Sequence, residues 1–240
     1  MKKTILLSII LISTIQLFAQ SGKVNYMASI IKKPLDKNSP YYEKQKEIRE
    51  VIDSRSKDIE LEMTFNAIEA VYKKKEKLKN DNDYGVNLTA LLAGADAVYY
   101  TNKKDSLCIE SVEDAGQRFL VSRKLAKWKI SNETKKIGKY ICTKATTIKK
   151  VDLGRKIKKV PVTAWFTKEV PVSFAPKNYS GLPGLIVELQ EGKLLLSVTK
   201  IAISADKKVA IKKPSKGMKV TEEEYKKIQK KLDKEDGWED

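Results

Sequence analysis

The chain has 240 residues, 41% of them hydrophobic and 33% charged, with two cysteines and no histidine. Without histidine there can be no Ser-His-Asp triad, no Cys-His dyad and no imidazole metal site, which removes the commonest nucleophilic and zinc chemistries, while the apolar fraction is enough to bury a core. The net charge of +17 rests on 43 lysines and only five arginines, Arg49, Arg55, Arg118, Arg123 and Arg155, and lysine lacks the planar fork that reads guanine edges, so sequence-specific nucleic-acid binding is not expected.

Met1-Lys2-Lys3 is a short basic lead, and Thr4 to Phe18 is apolar except for Ser8, Ser13, Thr14 and Gln16. That length suits a secretory signal better than a membrane span, with cleavage expected between Ala19 and Ser21. The expected domains are therefore a signal peptide over 1–20 and a single β-rich domain over 21–240. No cysteine follows the apolar stretch, so a lipid-modified N-terminus is not expected, and no later segment is apolar for long enough to span a bilayer. Loss of the signal removes two lysines and leaves +15, a surface that salt-sensitive attraction would draw toward anions. Periplasmic or secreted placement follows as the expectation.

Gly22 to Ala28 alternates as a first strand. Ser39-Pro40 then signals a helix start, and Tyr41 to Ser54 carries Tyr41, Ile48, Val51 and Ile52 at helical spacing, which predicts a helix lying against the sheet. From Ile59 the period becomes two, with Ile59, Leu61, Met63 and Phe65 on one face and Glu60 and Glu62 on the wet one. The acids Asp81 and Asp83 do not have calcium-loop spacing, and 73–83 reads as a polar connection. The stretch from Tyr84 to Ala95 carries no clear period. Short strands recur over 97–101, 106–110, 117–122, 128–130, 140–148, 160–167, 185–190 and 194–204, with a hairpin turn over Gln190 to Lys193; the spacing predicts an antiparallel meander. Glu110, Glu113 and Asp114 flank a turn at Gly116, where acids are common. Thr221 to Glu224 is a capping box that opens a charged C-terminal helix with Tyr225, Ile228 and Leu232 as its apolar stripe. The expected fold is α+β: a curved, mainly antiparallel sheet or half-barrel with an N-terminal and a C-terminal helix.

In an exported chain, Cys108 and Cys142 are either a disulfide pair closing about 35 residues, worth roughly 3 to 4 kcal/mol in the chain-entropy model, or two separately buried thiols. Trp128, Trp165 and Phe174 fall in or beside strands, where large rings either fill a core or line a cavity. The order of strand, helix and many strands resembles the architecture of periplasmic lipoprotein carriers, whose curved sheet encloses an apolar pocket.

The sharpest local feature is Gly181-Leu182-Pro183-Gly184-Leu185-Ile186, in which two glycines bracket Leu-Pro ahead of a strand. It is a rigid bend rather than a phosphate loop, since neither Lys-Ser/Thr nor a helix follows. The string matches the signature of the GLPGLI family of secreted Bacteroidetes-type proteins. Trp128-Lys129-Ile130, the run from Glu133 through Cys142 to Ala145, Ala164-Trp165-Phe166-Thr167 and Val170-Pro171 also resemble that family, while Ala175-Pro176 stands where the family usually has Gly-Pro. The resemblance implies an exported protein of unknown reaction and carries over no catalytic residue, cofactor or metal ligand. It also implies an outer-membrane TonB-dependent receptor as partner. The expected function is thus a non-enzymatic binding or accessory component of a Gram-negative envelope. The alternatives are a carrier of an apolar ligand inside the half-barrel and a carboxylate-based hydrolase.

Overall fold

The computed structural model describes residues 21–76, 86–152, 156–204 and 209–235. The expected signal peptide and the Asp81/Asp83 loop lie outside these residues. The first strand, β1 (Ser21–Ile30), is followed by helix α1 (Tyr42–Ser54), strands β2 (Ile59–Phe65) and β3 (Glu69–Lys74), and a one-and-a-half-turn helix, α2 (Leu88–Ala93). Strands β4 (Val98–Asn102), β5 (Leu107–Asp114), β6 (Gln117–Arg123), β7 (Lys129–Ile137), β8 (Tyr140–Asp152) and β9 (Ile157–Thr167) come next. The chain closes with β10 (Leu185–Glu191), β11 (Leu194–Ser204), β12 (Met218–Thr221) and helix α3 (Glu222–Glu235).

All twelve strands form one open, curved sheet in the order β12-β6-β5-β4-β3-β2-β1-β11-β10-β9-β8-β7, so the fold is the expected α+β half-barrel. Neighbours run antiparallel except at one edge, where β12 lies parallel to β6. The chain is a meander from β1 to β6 and another from β7 to β11. The halves join where β1 pairs with β11, with Tyr26 opposite Val198 and Ala28 opposite Leu196. Period-two alternation sends Tyr26, Leu61, Met63, Phe65, Tyr72, Ala164, Phe166 and Leu189 to the concave face, where they form the main core.

A sheet face of that width needs a cover, and the helices supply little of it. The short α2 fits Ala90 and Ala93 against the core; Asn87 caps it by accepting from the Thr89 and Ala90 amides at 2.9 and 3.4 Å. The signal for this helix was weak because six residues are too few to show a period. At the β6 edge, α3 docks through Tyr225 and Ile228 onto Phe119, Val121 and Val220, and its capping box forms as expected, the Glu224 amide donating to Thr221 Oγ1 at 3.2 Å. Helix α1 departs from expectation. None of its residues is buried, Ile48 and Val51 are half exposed, and it is tied to the preceding linker by Lys32–Asp53 at 3.1 Å and by Arg49 donating to the Lys33 carbonyl at 2.6 Å.

Most of the concave face is covered instead by an irregular strap, residues 168–184, between β9 and β10. Val170, Val172, Phe174, Ala175, Tyr179 and Leu182 of the strap are all core residues. The strap folds back on itself through the Gly181 amide donating to the Ser173 carbonyl (2.9 Å), the Ala175 amide donating to Ser180 Oγ (3.1 Å) and the Leu185 amide donating to the Val170 carbonyl (2.9 Å). Gly181 has φ +114°, closed to side chains, while Gly184 passes so close to β9 that an added Cβ would overlap the Thr167 carbonyl.

The candidate disulfide does not form. Cys108 and Cys142 are free, buried thiols, on β5 and β8, which stand eight places apart in the sheet order. Cys108 faces the concave side and donates to the Lys177 carbonyl at 3.8 Å; burial pushes its pKa up to about 12, and burial also raises that of Cys142.

Gly184→Ala should lower stability by about 3 kcal/mol or more in urea unfolding, because backbone must move, whereas Gly181→Ala, strained but unobstructed, should lose about 1–3 kcal/mol. The melting temperature should be the same with and without reductant, and both thiols should resist a thiol reagent until the chain unfolds. A drop on reduction would restore the disulfide.

Candidate functional site

Among the described residues, charged side chains gather in the interior beneath the strap and along a groove on the convex face, as well as around Trp165. In the interior the strap carries Lys177, in the left-handed region at φ +56°, with its ammonium pointing inward. It meets Glu191 Oε2 at 2.7 Å and the Leu92 carbonyl of α2 at 3.2 Å. The Tyr179 hydroxyl donates to the same carboxylate oxygen at 2.9 Å, and Lys149 of β8 pairs with Oε1. The Lys177 and Glu191 side chains are only 7% and 10% exposed, so the strap is pinned by a desolvated ion pair. Burial opposes ionisation of Glu191, but Lys177 and Lys149 outweigh it and hold its pKa down at about 2. Burial lowers the pKa of Lys177, and Glu191 counteracts this. The Tyr179 phenol is raised by burial and by Glu191, so it remains a donor.

A second interior carboxylate, Glu110 on β5, accepts from the Tyr99 hydroxyl at 2.8 Å and from Arg123 Nε at 2.6 Å, and Arg123 reaches Glu222 of α3 at 3.5 Å. Each interior acid is therefore held by its own cation and phenol, which ties the groups into structure rather than leaving a general acid or base free. Of the remaining acids named from sequence, those among the described residues are paired as well, and Asp114 lies on the inward row of β5, four residues after Glu110 and beneath α3. Glu60 and Glu62 sit on the convex side with Lys75 and Lys23 (3.1 and 3.0 Å), Glu113 pairs with Arg118, and Asp114 accepts from Tyr225 at 2.8 Å.

The three aromatics do not line one cavity. Phe174 is buried in the core beside Phe65, with ring centroids 6.4 Å apart. Trp128 packs at the rim of the strap, 5.9 Å from the Tyr179 ring, and donates to the Tyr179 carbonyl at 3.2 Å. Trp165 points to the opposite face of the sheet, as its alternation with buried Ala164 and Phe166 requires; there Lys135 and Lys144 lie over its ring at 4.5 and 5.9 Å. Gly181 to Ile186 contributes the bend and three core anchors, Leu182, Leu185 and Ile186, and no reactive group.

The convex groove was not anticipated. Residues 209–217 cross the outer faces of β1 to β6, Ile211 packing on the cluster of Tyr100, Ile109 and Leu120. Between this segment and the sheet is a groove of about 570 Å³. Its apolar surface includes Val71, Val98, Ile211 and Pro214, and six cations, Lys23, Lys73, Arg118, Lys212, Lys213 and Lys216, border it against one carboxylate, Glu62. No group of three or more metal-ligating side chains occurs among the described residues, and none of their helices is long and apolar enough to cross a membrane.

A family model described as a protein of unknown function (Porph_ging) matches residues 128–156 and 152–188, a span from β7 through the strap to β10 that contains the Gly181–Ile186 motif. No curated protein matches the chain. Among solved structures, PNGF-II in its C2 and P21 crystal forms superposes with TM-scores of 0.53 and 0.51 at 14% identity, covering 88% of this chain in each case. The chain spans about a third of the length of PNGF-II, 32% and 33% in the two forms, and the likeness is one of fold. LprF from Mycobacterium bovis gives a TM-score of 0.30 at 10% identity over 82% of this chain and 90% of LprF, too low for a shared fold to be read from it.

A folded-state pKa of about 2 for Glu191, below its ordinary 4.5, means that the pair stabilises fully above pH 4.5 and loses its contribution as pH falls toward 2. Glu191→Gln should abolish this part of the acid dependence and reduce stability at pH 7 by about 3–5 kcal/mol, since Lys177 is left buried without a counter-charge. Lys177→Met should be the milder change, because Glu191 keeps Lys149 and Tyr179. Equal losses for the two variants, measured by denaturant titration at pH 7, would contradict the assignment.

Proposed function

We propose that the protein is an exported, non-enzymatic binding component of a bacterial envelope, and that it binds through the convex groove. The observation that carries this reading is the contrast between the two faces. The concave side, where a carrier would hold an apolar ligand, is occupied by Phe174, Tyr179 and Leu182, with its charges tied together. The convex side has an open groove with an excess of cations. The fixed pairing of Glu191 and Glu110 likewise favours binding over carboxylate hydrolysis, because neither acid is placed to exchange a proton with a substrate. Export follows from the basic and apolar opening of the chain, and the outer-membrane receptor partner rests on the family resemblance alone.

Native mass spectrometry of the protein purified from the periplasm of its own host tests the reading. The expected species is a chain shortened by 19 or 20 residues that carries a non-covalent adduct. The adduct should be absent from the Lys212→Glu/Lys216→Glu variant. A full-length cytoplasmic chain would overturn export, and a bare wild-type mass would overturn binding.

A further inference from the structure

Resting on that assignment of the groove, we infer that its ligand is a single-chain anionic amphiphile, a phosphate or carboxylate headgroup on an alkyl stem. Three features of the groove select this class.

The first is the charge. Lys23 and Lys73 come from β1 and β3, Arg118 from β6, and Lys212, Lys213 and Lys216 from the covering segment, so cations border the groove from both the sheet and its cover. Lys23, Lys73 and Arg118 are paired with Glu62, Glu76 and Glu113. Lys213 lies 5.7 Å from the centre of the Tyr100 ring. Lys212 and Lys216 have no carboxylate partner among the described residues, and they supply the uncompensated charge that an anionic headgroup would meet. Lysine, a mobile point charge, accepts phosphate or carboxylate alike.

The second feature is the apolar surface between these cations. Val71 and Val98 stand on adjacent strands β3 and β4, and Ile211 and Pro214 face them from the cover. A free inorganic anion would gain nothing from these side chains, whereas an alkyl stem would bury against them. With at least one position from each strand from β1 to β6, the groove runs across five strand spacings, roughly 24 Å, an elongated shape that matches a chain better than a compact solute.

The third feature is what the groove lacks. Its floor is a sheet face rather than an edge, so the backbone groups beneath are already paired in the ladder and an extended peptide would find no main-chain partners there. No aromatic side chain is among the residues lining it, which removes the stacking platform that sugars and bases use.

The test is titration of the intact protein with dodecyl phosphate below its micelle concentration, followed by calorimetry and by amide chemical shifts. One site is expected, with shifts at Val71, Val98 and Ile211. Affinity should fall at least about tenfold between low and high salt and by a similar factor in Lys212→Glu/Lys216→Glu. Lys212→Gln/Lys216→Gln, checked by its melting temperature, should give an intermediate loss, and Val98→Thr should weaken the alkyl probe while leaving the melting temperature within a few degrees. Equal binding of inorganic phosphate, or of neutral dodecyl maltoside, would overturn the amphiphile assignment. So would binding confined to anionic phospholipid vesicles with none to monomeric dodecyl phosphate. If the probe fails while the native adduct still depends on Lys212 and Lys216, the ligand class is wrong and the groove assignment stands; if the adduct is indifferent to both lysines, the groove assignment itself fails.

Discussion

A twelve-stranded sheet with one apolar face has to cover that face, and here the cover is neither a large helix nor a second sheet but seventeen residues of irregular chain. Irregular backbone is expensive to bury, because its amides and carbonyls lack the ready partners of a ladder. The strap satisfies several internally, through the bonds from Gly181 to Ser173 and from Ala175 to Ser180, and others against the sheet and neighbouring loops, through the bonds of Leu185 to Val170 and of Ala126 to Asn178. Its side chains can then be apolar where they face the core. The whole arrangement depends on the return of the strap into β10 at Gly184, where the chain passes Thr167 at a separation that no side chain permits.

The pair of Lys177 and Glu191 fixes the position of this cover. Apolar contacts alone would let Phe174, Tyr179 and Leu182 slide among near-equivalent packings, whereas a desolvated ammonium and carboxylate at 2.7 Å tolerate little displacement. Tyr179 links the two kinds of restraint: its ring belongs to the core and its hydroxyl to the ion cluster. The Leu92 carbonyl, near the end of α2, receives the same ammonium, so α2 and the strap are positioned by one residue. A buried ion pair of this sort serves specificity more than net stability, which fits a segment that must find one register over a broad apolar surface without a regular ladder to guide it.

How far this was legible in the sequence depended on whether a residue lay in a periodic element. Strand alternation placed Leu61, Met63 and Phe65 on the core face, and the capping box located the start of α3, whereas in β9 the ring of Trp165 drew attention to the face opposite Ala164 and Phe166. The same rule contained Glu191 and Lys149: Glu191 is two positions after Leu189, and Lys149 two after Thr147 and four after Ala145, so both continue inward-facing rows. Their polarity made them read as turn and surface residues. Glu110, similarly, follows Cys108 on the inward row of β5 but was assigned to a turn. Lys177 had no such signal, because its direction comes from a left-handed backbone conformation inside an irregular segment. The stripe on α1 was readable as a helix but not as an exposed one, since periodicity reports which residues share a face and says nothing of whether anything covers it.

Charge was the least legible property, and the structure reorganises it. On composition the lysines are a diffuse positive surface, and many are just that, paired one by one with acids along the sheet, as Lys144 is with Glu133 and Lys230 with Asp152. Two departures matter. Lys177 is drawn inside to lock the strap, which a shorter or more rigid cation would do less well, since its flexible stem lets the ammonium reach across the core boundary to Glu191. Lys212 and Lys216 lie on the covering segment of the convex face, without an acidic partner among the described residues and beside an apolar floor. The curved sheet thus separates two uses of one residue type: inside, a lysine neutralised to hold the fold together, and outside, lysines left uncompensated where a ligand can reach them. That separation comes from topology, because successive side chains of each strand alternate between the two faces of the sheet, one closed over a core and the other, across β1 to β6, crossed by a segment that leaves space beneath it.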